Sequence, residues 1–236
     1  MTYPTPPWTL QGYAIQTLQL IDIERVRSLI PPEFDIVSLL PGKTLGGVYL
    51  SLYGSGSVLE YSELIVVAGR VRYSGKTGGW ISHIYVDNHD SVAGGREIWG
   101  LPKEIAEFTW EKCDHVAWPT ANRSTRYHHR VTVRQGENTL CRFSYNHAKF
   151  GWQMPLPLTL NDNVLSTLSG NILYFNGDFK SRLGLVASQL EVPPESPFAN
   201  LGLKQPWLTL DMDKLCLTAG EPQVVGQLNS SLMIQA

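Results

Sequence analysis

The sequence predicts a mainly β protein of the α+β class, antiparallel in its pairing, with a few peripheral helices in one domain over 1–236. Three observations carry this. Apolar residues recur as short runs or alternating stretches bounded by turn residues, the mark of strands. Helical spacing is confined to a few brief segments. Strands do not alternate regularly with helices, which disfavours a parallel α/β sheet.

Residues 12–20, 44–53, 63–73 and 79–87 read as the first strands. Paired glycines at Gly46 and Gly47 mark a bend or a close backbone approach. Residues 127–134 and 138–145 flank Gln135-Gly136-Glu137 as a hairpin, and 171–177 and 206–219 read as later strands. Asp22 to Ile30 places Ile23, Val26, Leu29 and Ile30 on one helical face, with Asp22 as the cap and Pro31-Pro32 as the stop. A second helix is expected from Asp90 to about Trp99, and a third over 161–169. The proline-rich stretch 191–206 reads as a loop.

Composition narrows the function classes. The chain has 236 residues, 43% of them hydrophobic and only 17% charged, with a net charge of −2. No basic stripe points to nucleic acid. The low charge fraction fits a large buried fraction or assembly. Three widely spaced cysteines, Cys113, Cys141 and Cys216, without a CxxC pair, argue against a disulfide framework or a zinc site. The N-terminus shows no secretion signal, and no apolar run reaches the ~20 residues of a membrane span. The expectation is a cytoplasmic protein without a membrane span. The glycosylation patterns at Asn122 and Asn229 therefore carry no meaning.

Several motifs fail on their own geometry. Ser74-Gly75-Lys76-Thr77 ends like a phosphate-binding loop, but Arg70 occupies the position of the required first glycine and a strand follows. It reads as a hairpin turn. His128-His129 point to opposite faces of a strand and cannot chelate one ion, and no HxH or HxxxH spacing exists. No metal and no cofactor are expected. No GxSxG elbow is present. Trp99, Trp110 and Trp118 cluster in sequence and support an apolar cavity nearby.

The segment Gly94 to Glu104, GGREIWGLPKE, carries the chemistry. Gly94-Gly95 permits tight backbone geometry. Pro102 fixes its own φ and biases Leu101 towards an extended conformation, so the backbone of Lys103 is held. A lysine amine attacks only when unprotonated, which burial or a nearby cation favours. On its chemistry alone, the position reads first as an exposed lysine at a strand start, and second as a buried, aimed amine.

The run Gly95-Arg96-Glu97-Ile98-Trp99-Gly100-Leu101-Pro102-Lys103 resembles the signature of the acetoacetate decarboxylase-like superfamily. Tyr85 to Asn88 resembles the strand end before that signature, Tyr61-Ser62-Glu63 the stretch supplying a pocket glutamate, and 22–30 with Pro31 the early helix. The likeness covers about residues 12 to 110. It implies an antiparallel β barrel or cone. It also implies a lyase whose lysine forms a Schiff base with the ketone of a β-keto acid while CO₂ leaves. Acetoacetate decarboxylase is itself a standing example of a lysine tuned by desolvation or a neighbouring cation. The resemblance assigns Lys103 and Glu63 as catalytic; Arg96, Glu97, Trp99 and Glu104, within and beside the signature, are the candidate substrate-binding residues. The partner is a small-molecule carbonyl compound, and an aldol or dehydration step is a related outcome. Family members generally assemble, so the resemblance also implies a homo-oligomer.

Three departures matter. Glu104 stands where decarboxylases have a second lysine. The family's N-terminal arginine falls on Gly12, and a second pocket carboxylate falls on Val48. Neighbours on a strand diverge, so Glu104 is free to point away from Lys103. Pro6 to Gly12, Lys43 to Gly47 and Ser62 to Gly69 are similar to a plant branch of the superfamily, the neoxanthin-deficiency proteins linked to carotenoid metabolism. That branch lacks the lysine. It implies the alternative of a non-catalytic accessory protein binding an apolar ligand such as a carotenoid or other isoprenoid.

Overall fold

A computed structural model describes residues 3–118, 125–146 and 158–228. Asn122, His147 and Asn229 lie outside the described residues, as do the side chains of Cys113, His115, Trp118 and His128.

In chain order the strands are β1 (Trp8–Asp22), β2 (Asp35–Ile36), β3 (Lys43–Tyr53), β4 (Tyr61–Tyr73), β5 (Lys76–Val86), β6 (Lys103–Ile105) and β7 (Glu107–Trp118). They continue as β8 (Thr125–Gln135), β9 (Asn138–Tyr145), β10 (Leu158–Leu168), β11 (Asn171–Leu185), β12 (Ser188–Glu191), β13 (Leu208–Ala219) and β14 (Gln223–Gln227). The helices are α1 (Ile23–Val26) and α2 (His89–Trp99).

The order β4-β3-β1-β13-β11-β10-β5, with β5 pairing back onto β4, closes a seven-stranded barrel. Closure is not wholly antiparallel: β5 runs parallel to β10 and to β6. A separate four-stranded sheet, β12-β9-β8-β7, covers one outer face. The two faces of β4 show why this sequence builds this shape. Leu64, Val66 and Ala68 face outward into a core shared with Val131, Val133, Leu140 and Phe143 of the covering sheet. Tyr61 faces inward with Leu10, Tyr49 and Leu217, and Glu63, Ile65 and Val67 line the interior beside it. The period of two divides the strand into a packing face and a cavity face.

The expected glycine approach in β3 is present. A Cβ on Gly46 would lie 2.3 Å from the Val67 carbonyl oxygen, and one on Gly47 would lie 2.2 Å from that of Thr17. The Ser74-Gly75 turn joins β4 to β5 with both residues at positive φ, the geometry of a tight hairpin. Two helix expectations are corrected. The 22–30 helix is one α turn followed by a 3₁₀ turn over Arg27–Leu29. Asp22 does not cap it, because its carboxylate is bound to Lys43 and Arg25. Residues 161–168 belong to strand β10, and Ser169 opens the turn after it. The strand pairs along its length with β11 through the Ser169-Gly170 turn, so hairpin closure overrides its local helical spacing. No helix among the described residues is long and apolar enough to cross a membrane.

Candidate active site

Helix α2 and the turn after it place Lys103. Asn88 is extended, and its side-chain oxygen accepts from the Ser91 amide at 3.0 Å, starting the helix. Gly100 ends it at φ 62°, with its amide on the Arg96 carbonyl and that of Leu101 on the Gly95 carbonyl. A side chain at Gly100 would meet the Thr167 oxygen at 2.3 Å. Lys103 then opens β6 opposite Ile84 of β5. The Arg96 Nε donates to the Lys103 carbonyl at 2.7 Å, fixing the backbone from the helix side.

The paired glycines sit inside the helix, where they cost intrinsic helix stability. Their use is steric. A Cβ on Gly94 would stand 2.6 Å from the Trp8 ring, and one on Gly95 would stand 2.4 Å from Cδ of Lys103. The lysine stem lies in the groove that Gly95 leaves open.

The amine itself is enclosed. Lys103 and Glu63 are each 3% exposed. Lys103 Nζ donates to Glu63 Oε1 at 2.7 Å and to Ser91 Oγ at 2.9 Å, with the Tyr61 hydroxyl farther off at 3.5 Å. The rings of Tyr61 and Trp8 lie 5.0 and 5.8 Å from the nitrogen, within cation–π range. Glu63 Oε2 accepts from the Tyr53 hydroxyl at 3.1 Å, which contacts the Tyr49 hydroxyl at 3.1 Å. Burial pushes the Tyr53 and Tyr61 phenols well above their usual value, and the Glu63 carboxylate adds to the shift. Both remain neutral. A buried ion pair persists only if its remaining hydrogen-bonding capacity is met, and Ser91 and Tyr53 meet it.

The cavity around this pair measures about 130 Å³. Beyond Lys103 and Glu63 its walls near the amine are largely apolar, with Leu10, Ile65, Leu101, Phe175 and Leu217. Among the described residues no three metal-ligating side chains group together.

The structure brings Lys103, Glu63 and Trp99 together on one cavity wall. It does not bring in Arg96, Glu97 or Glu104. Arg96 braces the Lys103 backbone from outside. Glu97 is exposed and accepts from the Tyr3 hydroxyl. Glu104 is exposed and accepts from Gln135 Nε2 at 2.9 Å, because strand alternation turns it away from its neighbour. Trp110 lies outside the cavity and donates to Ser62. Gly12 has no room for an arginine, since even a Cβ would sit 2.0 Å from the Leu52 carbonyl oxygen. Val48 is turned outward into the core under the covering sheet.

Sequence reasoning missed Ser91, Tyr53, Tyr61 and Trp8. Tyr61 was within reach of it, because it stands two residues before Glu63 on one strand and so shares its face. Ser91 carries no local signal beyond its place in the first turn of α2.

Residues 1–155 match the sequence profile of the family described as Acetoacetate decarboxylase (ADC). The tomato (Solanum lycopersicum) Protein NEOXANTHIN-DEFICIENT 1 is 30% identical over 136 residues, covering 58% of this chain and 45% of that one. The Acetoacetate decarboxylase of Burkholderia vietnamiensis is 33% identical over 96 residues, covering 40% and 37%. The matched stretch thus spans less than half the length of these relatives. The crystal structure of acetoacetate decarboxylase from Legionella pneumophila superposes with a TM-score of 0.72 at 19% identity, over 96% of this chain and 90% of that one. The chain belongs to the acetoacetate decarboxylase family.

Proposed function

We propose that this protein is a Schiff-base lyase in which Lys103 attacks the carbonyl of a keto acid or related substrate and Glu63 carries the protons. The observation that supports this most is the enclosed amine with a carboxylate 2.7 Å away in one cavity. Proton transfer from Nζ to Glu63 Oε1 turns the ion pair into a neutral amine beside a neutral acid. No net charge is created in the low-dielectric interior, so the step avoids the main cost of ionisation there.

The free amine adds to the substrate carbonyl, and Glu63 returns its proton as water leaves. The resulting iminium keeps its positive charge against Glu63 and the rings of Tyr61 and Trp8. In a β-keto acid the electrons of the bond to the carboxylate flow into the iminium as CO₂ departs. The enamine is then protonated at carbon by a proton taken from solvent through Glu63, and water adds to the iminium to release the product and restore the Lys103 ammonium. Tyr53, held neutral, steadies Glu63 by donating to Oε2. With no arginine at Gly12 to hold a small carboxylate, a related aldol or dehydration step shares the same iminium.

Borohydride in the presence of a keto-acid panel should trap an adduct on Lys103, located by mass spectrometry and absent in Lys103→Ala. No adduct with any member refutes the proposal. A second reading, a non-catalytic protein holding an apolar ligand such as an isoprenoid, is favoured by the apolar wall and by the likeness to NEOXANTHIN-DEFICIENT 1. Pigment or lipid co-purifying equally with the parent and with Lys103→Ala would select it.

A further inference from the structure

The barrel holds a second, larger chamber of about 320 Å³ beyond the one that encloses Lys103. The two share Gln16, Val67, Asp162 and Phe179 as a common wall. They are stacked along the barrel axis, because individual strands pass from one to the other. On β1, Leu10 faces the first chamber and Leu18 the second; on β13, Leu217 faces the first and Met212 the second. On β4 the two ends are marked by charge, Glu63 in the first chamber and Arg70 in the second. Seven residues of strand separate them, roughly 20 Å at about 3.3 Å per residue.

Solvent reaches the chambers where they join. Arg70 Nη1 pairs at 2.5 Å with Asp162, which lines both, and the Asp162 side chain is 54% exposed. Leu160, 40% exposed, stands in the same wall. Gln16, Arg70, Asn161 and Asp162 are the polar lining of the second chamber, and the rest of it is leucine, valine, phenylalanine, methionine and Gly46. A four-carbon keto acid bound at Lys103 leaves that largely apolar surface uncovered, whereas a longer apolar chain would bury it.

We infer that the carbonyl compound received by Lys103 carries an extended apolar chain, which runs past the Arg70–Asp162 pair into the second chamber. The inference rests on Lys103 as the carbonyl-binding group and adds the class of substrate. The covalent step is unchanged: the amine adds to the carbonyl carbon, water leaves, and the chain contributes binding alone.

The test uses the whole protein, straight-chain methyl ketones of four to twelve carbons, and cyanoborohydride, with adducts on Lys103 quantified by mass spectrometry. The half-saturating ketone concentration should fall about fourfold per added methylene over the first several. Met212→Trp, which fills the second chamber, should reverse the ranking of long over short ketones. Leu210→Trp provides the same test at a less buried wall position, with a thermal melt confirming the fold of each. Trapping that is flat with chain length, or best at four carbons, overturns the inference. If no ketone is trapped at all, the Schiff-base proposal fails, and the chamber is judged separately by fluorescence titration with parinaric acid. Saturable binding weakened at least tenfold by both tryptophan variants upholds an apolar-chain site. Absent binding, or binding indifferent to them, removes it.

Discussion

Gly95→Ala tests whether the signature glycine exists to house the lysine. The added methyl would stand 2.4 Å from Cδ and 2.7 Å from Cε of Lys103. Carbon atoms rest at about 3.5–4.0 Å, so the stem must shift by roughly an ångström or more. It is tied at both ends. Nζ is held by Glu63 at 2.7 Å and Ser91 at 2.9 Å, while the backbone amide and carbonyl are bound to Leu101 and Arg96. Movement of that size stretches the ion pair beyond bonding distance, and breaking a buried pair costs about 3–5 kcal/mol. Alanine gains about 1 kcal/mol over glycine within a helix. The net loss is therefore ~2–4 kcal/mol. For a chain of this length that lowers the melting temperature by roughly 5–15 °C. The displaced amine should also trap carbonyl compounds about 100-fold more slowly, the penalty of an ångström's misplacement. Calorimetry and borohydride trapping read the two effects. A variant that melts at or above the parent and traps at the parental rate would refute the steric argument.

Three further outcomes follow from the same geometry. Glu63→Met and Lys103→Met should each destabilise by about 3–5 kcal/mol, whereas the double variant should recover most of that loss, because two apolar side chains replace a buried pair; additive losses in urea melts would contradict a direct pairing. Asn88→Ala removes the cap that orders the first turn of α2 and should cost about 1 kcal/mol, and it should slow trapping at Lys103 by loosening Ser91; unchanged stability and trapping would show that the cap is idle. His83 is stacked on Tyr85 and tilted against Phe198, with Ser82 at Nδ1, and burial holds it below its usual 6.5 against the opposing pull of Glu104. The unfolded chain takes up the proton first, so this contribution is complete above about pH 6.5 and declines as pH falls towards the folded value; urea melts at pH 7.5 and 5.5 should show a decline that His83→Gln reduces, and an equal slope in the variant would assign it elsewhere.

The barrel was legible where the signal was local. The alternation along β4 and the turn at Ser74-Gly75 identify strands from a few residues each, and the strand limits differ from expectation chiefly at their ends. It was illegible where partners are distant. Asn161 to Ser169 carries capping residues and helical spacing, yet β10 is fixed by its ladder to β11, a pairing that no short window contains. The same limit applies to the site. Lys103 and Glu63 were found through the signature and its upstream stretch, but the residues completing their hydrogen bonds were not. Ser91 and Tyr53 depend on how α2 crosses the barrel end and on which face β3 presents. Arg96, Glu97 and Glu104 were grouped with the lysine because they adjoin it in sequence. Helix and strand geometry turn their side chains outward.

The identity of the lysine's partner is a consequence of topology. β5 lies between β4 and β6, pairing with Glu63 through Val86 and with Lys103 through Ile84. Strands two apart stand about 9–10 Å from each other, so a pair across the middle strand must be made by two long side chains meeting over it. Glutamate and lysine have that reach. A carboxylate adjacent in sequence does not meet the amine, because β6 sends Glu104 to the opposite face. The departure at Glu104 therefore leaves the cavity's charge untouched. The balance at the buried amine is one lysine against one glutamate, and a proton can move between them without creating net charge in a medium that penalises it. Close pairing with Glu63 is thus compatible with a reactive lysine, since the group that binds the ammonium is also the one placed to relieve it of its proton.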